Sequence, residues 1–283
     1  MTDVPPDTRA EGDDPCRPTT LSFATNSGLS FGFHGGQVLG WTPAGAAADR
    51  LWLSPAYECG PGTAIRGGVP VIFPQFSDRG PLPKHGFARD RAWQCTVAGG
   101  GPSAVSHVSM DLVDDVATRA LWPHGFRLAL KILAHPAALD LTLSVRNDGD
   151  DWFDFTAALH SYLAVGDAGA RIHGLEGRPA EDNAAGRAAV TMPAQPLDAL
   201  AKRDVAVRGV TAPVVLDDPA LGPLTVTATG FADVVVWNPG PGHGLADVPD
   251  GAERGFVCIE PAVLTPVHLG AGHEWHGSMR LSV

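Results

Sequence analysis

The chain has 283 residues, a net charge of −11, 34 glycines and 25 prolines. Its length fits one large domain, and this turn-rich composition favours many short strands over long helices. The acidic balance speaks against nucleic acid and anionic membrane as partners. No apolar run reaches membrane-spanning length, and the acidic N-terminus lacks the apolar stretch of a signal peptide.

Residues 1–17 are rich in Asp, Pro and Thr and predict a flexible tail. Strand-like runs follow at Leu21 to Ala24, Gly28 to Phe33 and Gln37 to Trp41, an opening meander with glycine turns. Val69 to Phe76 reads as a short apolar strand broken by Pro70 and Pro74. Further strands are expected at Ala92 to Ala98, Ser103 to Leu112 and Phe126 to Ala134. Asp115 to Leu121 predicts a short helical turn. From Leu139 to Asn147 the side chains alternate: Leu139, Leu141, Leu143 and Val145 face one way, and Asp140, Thr142, Ser144 and Arg146 the other. Trp152 to Val165, Ala188 to Met192, Val205 to Val210, Pro213 to Leu216, Leu224 to Thr229, Asp233 to Trp237, Phe256 to Pro261 and Gly277 to Val283 complete the set. The reading is an all-β fold, one large antiparallel β-sandwich over residues 18–283.

Four places stand out chemically. Between Arg66 and Trp93, the residues Arg66, Gln75, His85 and Arg89 fall around turns, where polar side chains converge on a ligand. His160 shares a strand face with Ala158 and Tyr162, so small neighbours leave room beside an imidazole; a core histidine is the competing reading. Trp237 offers an apolar wall, and Asn238-Pro239 a turn before the glycine-rich stretch Gly240 to Arg254. Glu260 lies inside the apolar run Phe256 to Ala262. It must meet a partner, face a cavity or carry a raised pKa, and Pro261 is expected to end the strand beside it.

Two other features point to little. His268, His273, Glu274 and His276 cluster near the C-terminus, but no recognised metal-ligand pattern joins them, and Gly270 and Gly272 mark a hairpin there. Cys16, Cys59, Cys95 and Cys258 form no Cys-x-x-Cys pair and read as reduced thiols of a cytoplasmic protein.

Arg66-Gly67-Gly68-Val69-Pro70, Phe73-Pro74-Gln75-Phe76 and His85-Gly86-Phe87-Ala88-Arg89 resemble the hexose-6-phosphate mutarotases, the glucose-6-phosphate 1-epimerase branch of the aldose 1-epimerases. Leu159-His160-Ser161-Tyr162, Val235-Val236-Trp237-Asn238-Pro239 and the strand holding Glu260 extend the likeness from Phe31 to Val283. Gly240 departs from it, standing where the family commonly has Trp. The resemblance implies a galactose mutarotase-like supersandwich, with His160 as general acid and Glu260 as general base. For such a substrate Arg66 and Arg89 are expected on the phosphate, since guanidinium matches it bidentately, with Lys84 beside His85 helping, and Gln75, His85 and Asp204 on the sugar. Asp204 matches only in part, since Val205 and Val207 replace the family's Arg and Tyr; an exposed turn carboxylate is its other reading.

The function so implied is interconversion of the α and β anomers of a hexose 6-phosphate by a monomer that needs no cofactor or metal. Two alternatives stay open. One is an epimerase of unphosphorylated aldoses, and the other a sugar-binding protein without turnover.

Overall fold

The computed structural model describes residues 14–23, 27–99 and 106–283. In chain order the strands are β1 (Thr19–Phe23), β2 (Ser27–Gly32), β3 (Gln37–Thr42), β4 (Val71–Ile72), β5 (Gln94–Gly99), β6 (Ser106–Val113), β7 (Phe126–His135), β8 (Ala138–Asn147), β9 (Phe153–Leu159) and β10 (Tyr162–Ala164). Then come β11 (Arg171–His173), β12 (Pro179–Asp182), β13 (Ala188–Thr191), β14 (Leu197–Asp198), β15 (Arg203–Val207), β16 (Val214–Asp217), β17 (Leu224–Thr229), β18 (Asp233–Asn238), β19 (Phe256–Leu269) and β20 (Glu274–Ser282). The helix α1 (Val116–Leu121) forms where a helical turn was expected. Asp115 caps it, accepting from the Thr118 N–H while the Thr118 hydroxyl accepts from the Asp115 N–H.

The named strands pair antiparallel in three sheets: β1-β2-β3, an eight-stranded sheet ordered β13-β12-β15-β18-β19-β9-β4 with β10 also on β19, and a nine-stranded sheet ordered β14-β11-β16-β17-β20-β8-β7-β6-β5. One apolar core joins the two large sheets, so the expected sandwich is observed. The nine-stranded sheet supplies Leu128, Leu130 and Ile132 of β7 and Leu139, Leu141 and Leu143 of β8, all fully buried. Each such side chain contributes about 1.5–3 kcal/mol relative to exposure. The eight-stranded sheet supplies Ala157 and Leu159, Val205 and Val207, Val234 and Val236, and Val257 and Ile259. Period two therefore turns the residues between them to its other face: Ala158, Asp204, Ala206, Val235, Cys258 and Glu260. That outer face carries the site.

The sequence reading differs from the structure in instructive places. Val69 to Phe76 holds only two regular residues, Val71 and Ile72, because its prolines withdraw ladder donors. β19 does not end at Pro261 but runs on to Leu269. The Ile259 N–H bonds the Ser161 carbonyl at 3.3 Å, and position 261 faces the same side two residues on. There the neighbouring chain is between β9 and β10, so the proline removes a donor where the ladder is interrupted.

Residues 1–13, Ala24 and Ser103 to Val105 of the expected tail and strands lie outside the described residues. Positions 14–17, also assigned to the tail, are tied down: His34 donates its N–H to the Pro15 carbonyl at 3.0 Å, and Cys16 is bonded to Cys59. The expectation of four reduced thiols is thus corrected, since chain reversal brings together two cysteines 43 residues apart. Cys95 and Cys258 are not disulfide-bonded. No helix among the described residues is long and apolar enough to cross a membrane.

In non-reducing denaturant, a thiol titration is expected to find two thiols per chain, those of Cys95 and Cys258. Cys59→Ser should lower the unfolding free energy by about 2–4 kcal/mol in urea melts, through loss of the loop constraint. Four titratable thiols, or an unchanged melt, would contradict the bridge.

Candidate active site

Register assembles the centre of the site. On the outer face Asp204 of β15 is opposite Trp237 of β18, and Val235 of β18 is opposite Glu260 of β19. His160 follows β9, its N–H held by the Pro70 carbonyl at 3.0 Å. Its Nε2 lies 3.3 Å from Glu260 Oε1. Both side chains are buried, with Glu260 1% and His160 6% exposed. Among the described residues, His160 Nδ1 and Glu260 Oε2 have no hydrogen-bond partner, an expensive condition for buried polar atoms unless a ligand completes them.

A cavity of about 240 Å³ opens over this pair. His160, Glu260, Arg66, His85, Arg89 and Asp204 all line it, so the structure brings together six of the seven residues expected from the sequence. Lys84 lines it as well, and Trp237 forms the anticipated apolar wall. Three cations around one cavity oppose the protein's net negative charge and suit an anionic group.

Gln75 is the exception. Its side-chain amide serves the loop rather than the cavity: Nε2 donates to the carbonyls of Ser77 and Leu82 at 2.9 and 3.0 Å, and Oε1 accepts from the Leu82 N–H at 2.8 Å. This staple closes the loop that carries His85. His85 itself adopts a left-handed backbone at φ 70°, a conformation a side chain occupies only where its surroundings impose it. Its N–H bonds the Ser77 carbonyl at 2.9 Å, and the Ser77 N–H donates to His85 Nδ1 at 3.3 Å. The neutral ring therefore carries its proton on Nε2, free to donate to a ligand oxygen.

The two arginines are held differently. Arg66 donates from Nε to Asp247 Oδ2 and from Nη1 to the Tyr162 hydroxyl, each at 2.9 Å. Among the described residues, Arg89 donates only to the Lys84 carbonyl, at 3.2 Å. Arg91, adjacent in sequence, pairs with Asp90 and does not line the cavity.

Asn183 and Leu245 also line the cavity but escaped the sequence reading. Asn183 donates to Asp204 Oδ1 at 2.7 Å, and Arg79 grips Asn183 and Glu181 in turn. Asp204 is thereby a fixed wall carboxylate, not an exposed turn residue. Asn238 is structural: its side chain donates to the carbonyls of Glu253 and Phe256 and accepts from the Gly240 N–H, closing the segment that brings Leu245 to the cavity. A Cβ on Gly240 would meet Lys202 at 2.6 Å, which accounts for glycine at this point. The C-terminal histidines do not converge. His268 bonds Asp154 and His276 bonds Ser144, while His273 meets the Ala271 carbonyl.

Burial dominates the electrostatics. It pushes the His160 and His85 imidazoles well below their ordinary range, with Arg89 adding to the effect on each. It pushes the Glu260 carboxyl well above its ordinary range, assisted by the negative charge of Asp204. Burial also lowers Arg89, which the nearby Arg66 charge reinforces; an anion between them would relieve that repulsion. A buried carboxyl and imidazole 3.3 Å apart can pass a single proton between them and a bound ligand.

Replacing Gln75 by Leu should cost about 1–3 kcal/mol, since the Leu82 N–H and carbonyl lose their Gln75 partner and the Ser77 carbonyl keeps only the His85 N–H. The loosened His85 loop should weaken ligand binding in the cavity; urea melts and ligand titration check both effects. An unchanged melt would contradict the staple.

The sequence matches the aldose 1-epimerase family over residues 19–282. A protein of Cenchrus ciliaris named "Putative glucose-6-phosphate 1-epimerase" is 31% identical over 275 residues, covering 93% of this chain and 83% of that one. A protein of the same name from Escherichia coli K12 is 34% identical over 247 residues, 82% of this chain and 79% of that one. Among solved structures, a "putative mutarotase" from Salmonella typhimurium superposes with a TM-score of 0.84 at 27% identity, covering 93% of this chain and 88% of that one. A galactose mutarotase-like protein from Lactobacillus casei shares the fold, with a TM-score of 0.74 at 14% identity over 94% of this chain and 99% of that one. By the span of the family match and the identity to these relatives, this chain belongs to the aldose 1-epimerase family.

Proposed function

We propose that the protein interconverts the α and β anomers of a hexose 6-phosphate, glucose 6-phosphate being the leading substrate. The observation that carries this reading is one cavity lined by Arg66, Lys84 and Arg89 as well as by the buried His160–Glu260 pair. Cations for a phosphate and an acid–base pair for an anomeric centre are what this substrate requires. The two named relatives support the same substrate.

The chemistry follows from the position of the oxygens. O1 and O5 are both bonded to C1, so an acid and a base must converge on one carbon, as two groups 3.3 Å apart do. In the form of the pair whose one proton lies on His160, Glu260 takes the proton of the O1 hydroxyl while His160 gives its proton to O5. The C1–O5 bond breaks and leaves an open-chain aldehyde. Rotation about C1–C2 presents the other face of the carbonyl. The ring recloses with the two groups in exchanged roles, and the proton count of the pair is restored. His85 Nε2–H can hold a sugar oxygen or stabilise charge developing on O5, and Asp204 can accept from sugar hydroxyls. The pair and the sugar account for every proton without a cofactor.

A phosphate dianion does not cross a bilayer unaided, so enzyme and substrate share a compartment, which we take to be the cytoplasm. There the Cys16–Cys59 bridge would meet reductant. A monomer without nucleic-acid or membrane partners belongs to the same proposal; sedimentation at equilibrium tests the monomer.

Exchange between the anomeric proton signals of glucose 6-phosphate, followed by NMR, is expected to accelerate in proportion to enzyme, with glucose little affected. Acceleration of glucose alone would move the protein to unphosphorylated aldoses, and acceleration of neither would favour a binding role. Replacing Arg66 and Arg89 together by Ala should raise KM for the phosphate on the order of 100-fold.

The active form holds one proton on the pair. As pH falls, a second proton reaches His160 with Glu260 already protonated, and the base is lost; burial places this limb below the ordinary imidazole range. As pH rises, the last proton leaves Glu260 and the acid is lost; burial places this limb above the ordinary carboxylate range. A bell-shaped rate with these limbs is expected, and Glu260→Gln should abolish it with a loss of about 10²–10⁴ in kcat. A flat profile with chemistry rate-limiting would contradict the pair.

A further inference from the structure

We propose that Tyr162 is a positioning residue with two separable tasks: its hydroxyl, with the Asp247 carboxylate, aims the Arg66 guanidinium at the substrate's phosphate, and its ring holds the His160 imidazole in plane. The inference deepens the hexose-phosphate reading and rests on it.

The geometry divides the tasks cleanly. Arg66 spends its Nε–H on Asp247 and one Nη1–H on the Tyr162 oxygen, both at 2.9 Å. A guanidinium has five N–H donors in a rigid plane, so two anchors on different atoms fix that plane, and the remaining donors are left for the cavity that Arg66 lines. Burial works against the Arg66 charge, but these two bonds outweigh it and leave the group firmly cationic. Tyr162 does not line the cavity and is 1% exposed, so it acts on the substrate only through others.

The ring contact is separate. Tyr162 stacks on His160 with centroids 4.8 Å apart and planes 12° from parallel. The tyrosine ring is itself clamped, stacked on Trp52 at 5.9 Å and packed on Phe256 at 5.3 Å. The His160 imidazole is thus backed by a fixed surface while its Nε2 faces Glu260. Phe at 162 would keep this surface and remove only the acceptor for Arg66.

Asp247 comes from the segment between β18 and β19 that also brings Leu245 to the cavity wall. Its carbonyl accepts from the Ser54 hydroxyl at 2.5 Å, which fixes the second anchor from the other side. One guanidinium therefore ties together the strand after the β9 break, the segment over the cavity and the substrate's phosphate.

The test is steady-state kinetics of Tyr162→Phe on glucose 6-phosphate and on glucose, with pH profiles. We expect KM for glucose 6-phosphate to rise about 5- to 30-fold, from loss of a hydrogen bond to a charged group. kcat should stay within about two-fold, with both pH limbs in place and the slow rate on glucose unchanged. Asp247→Asn, away from the aromatic cluster, should show the same split. Tyr162→Leu should in addition lower kcat by about ten-fold or more, since the support of His160 is gone. If the wild type prefers the phosphate but Tyr162→Phe leaves KM unchanged, or slows both sugars alike, this inference is overturned and the substrate reading stands. If the wild type shows no preference for the phosphate, the substrate reading falls and takes the inference with it.

Discussion

A carboxyl and an imidazole buried side by side on a sheet face are the constraint around which the rest of the site is arranged. Burial disfavours the charged form of each, pushing Glu260 up and His160 down, and at 3.3 Å they are placed to exchange one proton. The arrangement needs a dry, rigid surround. Val235, Ala158, Ala206 and Ala262 supply a small-residue apolar floor on the same face, and Tyr162 and Trp237 wall the imidazole. The break between β9 and β10 lets His160 leave the ladder, and Pro261 lies opposite that break, where its missing donor disrupts nothing. Stability and chemistry draw on the same alternation: Val257 and Ile259 enter the inter-sheet core, whereas Cys258 and Glu260 turn to the other face, Cys258 into the cluster with Tyr162 and Phe256 and Glu260 to the cavity.

The second requirement is to attract a dianion into an acidic protein. Arg66, Lys84 and Arg89 form a local field of opposite sign to the net charge of −11. The two guanidiniums are not equivalent. Arg66 is pinned by Asp247 and Tyr162, whereas Arg89, among the described residues, bonds only a carbonyl and is left electrostatically uncomfortable beside Arg66. A pinned cation gives direction, and a partly satisfied one gains most when an anion arrives. Burial, reinforced by the same cations, pushes His160 and His85 below the ordinary imidazole range, so phosphate binding would change the field at the acid as well as the position of the sugar.

The sequence made the sheet content and the central pair legible for a physical reason. Period two is a local signal, and a lone glutamate in an apolar strand contradicts its surroundings strongly enough to be noticed. The sandwich and the strand alternation in β8 follow from it, whereas His160 was singled out by the likeness of Leu159-His160-Ser161-Tyr162 to the mutarotase motif. What depends on distant chain segments was not legible. Gln75 looked like a sugar ligand because its motif lies among site residues, yet its amide closes the loop it begins. Asn183 sits in the turn after β12, a strand too short to show a pattern, and it reaches Asp204 only through strand pairing. The union of Cys16 with Cys59 and the reach of Asp247 to Arg66, 181 residues away, are products of the fold alone.

The most direct measurement is a crystal structure with glucose 6-phosphate bound. The account predicts the phosphate on Arg66 and Arg89, O5 within hydrogen-bond distance of His160, and O1 within hydrogen-bond distance of Glu260. A sugar bound with C1 away from the pair, or a phosphate held elsewhere than on these two arginines, would contradict it.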